Sequence, residues 1–189
     1  MTSPVQRAGR HARAAARWGR LLAGLPAAPG LRVSYGHDVV PGRDDAVSGG
    51  TAKIQRLHER FPNHPASFSL LYLGSSWLPR DLGPLLWAAG RRGAPVVVNQ
   101  NGVGYPAWAG ARTEEVNRPL RRAHESARHV LYQSAFCKAA AEAWLGPARG
   151  GWEILPNAVD CERFRPPERP PEGGPVLLLG GDQTQPYRL

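Results

Sequence analysis

Three short polar stretches carry the residue types from which a ligand site is built. Gly49-Gly50-Thr51 stands directly before a helical pattern. Glycines let the backbone approach a ligand closely, and the free N–H groups and dipole of a helix start favour an anion such as a diphosphate. The same pair also makes an ordinary turn into a helix, and it matches neither the Walker pattern nor G-x-G-x-x-G. Asn99-Gln100-Asn101-Gly102 supplies three amides that donate to and accept from sugar hydroxyls. Such amides equally hold a turn through Asx bonds. Ser134 precedes a helix, where its hydroxyl either caps the helix or faces a ligand. Asn157, after Pro156, orders a turn or reaches the same cleft. His37-Asp38 is an acid–base pair only if the fold brings the two side chains together. No G-x-S-x-G elbow is present, the histidines and the two cysteines lack metal-ligand spacing, and no cofactor is expected.

The elements that must position these residues alternate in type. Leu31 to Tyr35 predicts a first strand, and Ile54, Leu57 and Phe61 one face of a helix ended by Pro62 and Pro65. Phe68 to Leu73 predicts a second strand, leading into Gly74-Ser75-Ser76-Trp77. Leu82, Leu85, Leu86 and Ala89 form an apolar helical stripe. Ala94 to Val98 predicts a third strand, its unbroken valines suiting burial on both faces, with the amide-rich stretch as its exit loop. Thr113 to Ser126 reads as a charged helix broken near Pro119. Val130 to Tyr132 is a fourth strand. A helix follows with Phe136, Ala140 and Trp144 turned to the core, stopped by Gly146-Pro147. Trp152 to Leu155 is a fifth strand. The fold class is therefore α/β, a Rossmann-like parallel sheet with flanking helices. In such a sheet ligands sit beyond the C-terminal strand ends, where the glycine pair and the amides lie.

Composition bounds the rest. The 189 residues hold one full domain, and 42% hydrophobic content is enough for its core. Residues 1–30 read as a basic leader, 31–165 as the domain, and 166–189 as a proline- and glycine-rich linker entering another strand at Val176 to Leu179. The net charge is +9, and no acidic residue precedes Asp38. Arg10, Arg13, Arg17 and Arg20 share a helical face, so the leader is either a disordered tail or a helix on an anionic membrane surface. Lysine occurs only at 53 and 138, and an arginine-rich body without a nucleic-acid module does not point to nucleic acid. Two cysteines make no disulfide framework, with Cys137 a small core filler. The compartment expected is the cytoplasm, with the inner face of the membrane as the leader's place if it is that surface helix.

The ordered series Ser134, Gly146 and Ile154-Leu155-Pro156-Asn157-Ala158-Val159-Asp160-Cys161-Glu162-Arg163-Phe164-Arg165-Pro166 resembles glycosyltransferase family 4, of the two-lobe GT-B fold. The likeness covers residues 31 to 181; Ala158 stands where that family usually has glycine, and amides stand at 99–101 where many members carry a histidine. The resemblance implies the N-terminal, acceptor-side lobe of a transferase that moves a sugar from a nucleotide-sugar donor to a glycan or lipid-linked acceptor. It implies a glycine-rich loop at Gly49 and Gly50 facing the donor phosphates, and a donor-side lobe that this chain lacks beyond its linker. The chain alone is expected to be inactive, and a half-enzyme that pairs with a separate donor-domain partner chain is one alternative. A non-catalytic glycan-binding half-domain and a nucleotide-binding Rossmann protein are the others.

Overall fold

The computed structural model describes residues 15–16, 18–23, 29–47, 49–159, 161–162, 165–166, 169 and 173. Five strands lie side by side in sequence order, every pair parallel. They are β1 (Val33–Ser34), β2 (Leu70–Gly74), β3 (Val96–Gln100), β4 (His129–Tyr132) and β5 (Gly151–Ile154). The helices are α1 (Gly50–Arg60), α2 (Leu82–Arg92), the single turn α3 (Pro106–Ala109), α4 (Thr113–Ser126) and α5 (Ala135–Leu145). The chain is thus an α/β protein with a Rossmann-like parallel sheet between helices.

Successive strand residues point to opposite faces, and the register aligns them into rows. Leu73, Val98 and Val130 pair in one such row and are fully buried. On that face α2, α4 and α5 bury Leu85, Ala123, Ala141 and Leu145. The opposite face carries Val33, Leu70 and Tyr72, covered by Ile54 and Leu57 of α1.

That division of faces explains the winding. Alternate carbonyls of a strand point to opposite sides, and β1 uses both. Arg32 O accepts from the N–H groups of Ser69 and Leu70 toward β2, while Val33 O accepts from His64 N at 2.8 Å. Asn63 forms a parallel bridge with Val33 on that far side. The chain therefore leaves β1 outward over one face through α1, then returns to start β2 and winds the other way over the opposite face. Reversing both direction and face keeps the crossover hand constant, as the handedness rule requires. The reversal falls between β1 and β2, the place where open α/β sheets open a crevice.

Four expectations are corrected. The third strand starts at Val96 and runs through Gln100, so Asn99 and Gln100 are buried strand residues. β1 is two residues, Val33–Ser34. α4 continues through Pro119. A proline removes one backbone bond, but Asn117 beside it exchanges two bonds with Gly104, and Leu120, Ala123 and His124 are buried. Residue 30 is not where packing begins. Residues 18–23 are helical, Leu21 is fully buried, and Arg92 Nη2 donates to Leu21 O and Ala66 O, both at 2.7 Å. Arg7, Arg10, Arg13 and Arg17, and the run Val176 to Leu179, lie outside the described residues. Among those described, no helix is long and apolar enough to cross a membrane.

Candidate functional site

The glycine pair and the amide stretch meet at the C-terminal ends of β2 and β3. Gly49 turns the chain with φ +49°, a conformation that costs a residue with a Cβ. Gly50 opens α1 and is buried, because a Cβ there would collide with Ser76 Oγ and Asn101 Nδ2. Glycine at 50 is thus required by close packing, while Gly49 remains exposed. No side chain caps α1, and no acidic residue sits in its first turn. Its positive end is therefore left for an outside anion or water. Thr51 lies half-buried in that first turn.

Ser75 and Ser76, leaving β2, tie the two segments. Asn101 N donates to Ser75 Oγ at 2.8 Å, and Asn101 Nδ2 to Ser76 Oγ at 2.9 Å. Asn101 O accepts from Cys137 Sγ at 3.3 Å, and Asn101 Oδ1 is buried without a partner. Cys137 is accordingly half-buried at the site and not a core filler. Asn99 does not present its amide to solvent. Its Oδ1 accepts from Lys53 Nζ at 3.1 Å, one turn into α1. Burial pulls the Lys53 ammonium below the usual lysine range, with the Cys137 thiol acting the other way. No carboxylate pairs with Lys53 among the described residues. Tyr72 is pushed up to about 12 by burial, opposed by its hydrogen bond to Asn99.

The remaining candidates have structural partners. Ser134 caps α5: its Oγ accepts from Cys137 N at 3.1 Å. Asn157 is exposed, its Oδ1 accepting from Gln133 Nε2 at 3.1 Å. His37 does not pair with Asp38. Its ring stacks on Trp77 at 3.7 Å and its Nε2 bonds Trp77 O, whereas Asp38 Oδ2 lies 3.4 Å from Arg20 Nη2.

Beyond Ser76 and Asn101 opens a groove of about 1090 Å³ between α4 and α5. Phe136 and Trp144, expected in the core, line it and are 79% and 38% exposed; Ala141 and Leu145 are the buried positions of α5. Trp108 Nε1 donates to Val103 O at 3.0 Å and so fixes a third ring at this wall.

The sequence reading missed Lys53, the serine pair and the groove. Ser75 and Ser76 were marked only by following a strand, and Lys53 only by its place four residues after Gly49. The arrangement holds one uncapped helix start, one lysine without an acid, hydroxyls and amides, next to an apolar trough. No family model, no curated protein and no solved structure matches the chain.

Proposed function

We propose that this chain is the acceptor-side lobe of a two-lobe glycosyltransferase, binding donor phosphate at the start of α1. The observation that carries the reading is the contact of Gly50 with Ser76 and Asn101 at the strand ends. Supporting it are the uncapped α1 and Lys53, whose ammonium bonds Asn99 of β3 and meets no carboxylate among the described residues. An ammonium and free backbone N–H groups together suit a diphosphate. In the transfer, the acceptor hydroxyl oxygen bonds the anomeric carbon. The bond from that carbon to the diphosphate breaks, the diphosphate leaves with the electron pair, and the hydroxyl proton passes to solvent or a base. Both lobes must close to align these atoms and exclude water, so turnover requires a donor-side lobe together with this one.

Calorimetric titration of uridine and guanosine diphosphates, with NAD for comparison, tests the reading. Binding of a nucleoside diphosphate that falls about tenfold in Lys53→Met supports it; a charge-assisted hydrogen bond contributes about 1.5–3 kcal/mol. Absence of binding, binding indifferent to Lys53, or tight binding of NAD alone overturns it.

A further inference from the structure

We propose that the groove beside Asn101 binds the apolar chain of a hydroxyl-bearing amphiphile, its polar end held at Ser76 and Asn101. The identification of this molecule as the sugar acceptor rests on the transferase reading above; the binding itself does not.

Size comes first. At about 1090 Å³ the groove matches the upper end of sites for single small molecules. Its walls are rings and aliphatic groups: Trp108, Phe136, Trp144, Val116 and Leu120. Complementarity of charge then selects the occupant. No ionised side chain is among the residues lining the groove. A glycan lying there would strip water from its hydroxyls with few partners to replace it. An alkyl or isoprenoid chain loses only unfavourable contact with water, about 0.8 kcal/mol per buried methylene. Hydrogen-bonding groups concentrate where the strands end, at Ser75, Ser76 and Asn101. That end adjoins Gly50, and Lys53 stands behind it on Asn99. An amphiphile running along the groove thus delivers its hydroxyl to the place where the diphosphate is held.

The groove is also built in advance. Trp108 is fixed by its bond to Val103 O, and Arg121 Nη2 ties α4 to Trp144 O of α5 at 3.1 Å. Walls already ordered lose little entropy on binding. Phe136 and the half-exposed Trp144 and Trp108 form an apolar rim.

Tryptophan fluorescence tests the inference. The probe is an alkyl maltoside brominated along its chain, added below its critical micelle concentration, with maltose and brominated phospholipid vesicles as comparison arms. The expected result is saturable quenching, lost in Trp108→Phe/Trp144→Phe although four other tryptophans remain. Ala139→Glu places a charge on an exposed position of the wall and should weaken binding about tenfold or more. Ala139→Phe, which fills the groove without charge, should weaken it too. An unchanged thermal midpoint shows that either variant is folded. Equal competition by maltose, quenching indifferent to all three variants, or quenching by vesicles alone overturns the proposal. The last would make the rim a lipid-surface contact. A chain that binds the amphiphile but no nucleoside diphosphate keeps the groove and loses the transferase reading; the opposite pair of results does the reverse.

Discussion

Two helices, α1 and α5, begin at the same edge of the sheet and finish their first turns differently. α5 is closed from within: Ser134 is extended, and its hydroxyl accepts from Cys137 N. α1 starts from a glycine with positive φ, without any side-chain cap. The first arrangement satisfies a backbone donor and serves the fold. The second leaves donors open, which costs stability unless a ligand or water fills them. The contrast separates a structural serine from a candidate anion site, although both were equivalent candidates as residue types. It extends to packing. α5 is apolar around most of its surface, whereas α1 presents only Ile54 and Leu57 to the sheet and directs Lys53 to Asn99.

The largest effect that sharpens this contrast lies within α5. Leu145→Ala, at a buried position, should destabilise by about 2–5 kcal/mol in denaturant unfolding. Trp144→Ala should cost less than its neighbour, because its ring is partly exposed in the groove. The reverse ranking would mean that α5 is rotated. Next comes Gly50→Ala, expected to cost about 1–3 kcal/mol by overpacking. It should also break the Ser76–Asn101 bond and abolish nucleoside diphosphate binding; intact binding would show that the close approach is unimportant. Ser134→Ala should cost about 1 kcal/mol while leaving diphosphate affinity unchanged. A lost affinity there would erase the distinction between the two helix starts.

The smallest effect on stability belongs to Lys53, where the change falls on binding. Its ammonium is the form that binds an anion, and burial pulls its pKa below the ordinary lysine value. Diphosphate affinity should therefore be full at neutral pH and fall as pH rises, beginning below the range of an exposed lysine near about 10.4. Lys53→Arg should hold its affinity further into alkali, since guanidinium stays charged. Identical pH profiles for the two proteins would remove Lys53 from the site.

Periodicity and punctuation in the sequence determined the alternation of strands and helices, the parallel sheet, and the edge at which Gly49, Gly50 and Asn101 gather. Strands buried on both faces read as unbroken apolar runs, and glycine before a helix reads as a start. Those signals are local, so they survive without coordinates. What only the tertiary structure decided is non-local. Asn99 and Gln100 belong to β3 because their partners Leu131 and Tyr132 continue the ladder, which no amide composition reveals. α4 survives Pro119 because Asn117 finds Gly104. In α5 nearly every position from Ala135 to Leu145 is apolar, so spacing alone does not select the buried side. The sheet takes Ala141 and Leu145 and leaves Phe136 and Trp144 to the groove. Lys53 acquires its lowered pKa only through burial at a place where it also meets Asn99, 46 positions away along the chain. Residue types state which interactions are available, and the packing of distant segments decides which of them are used.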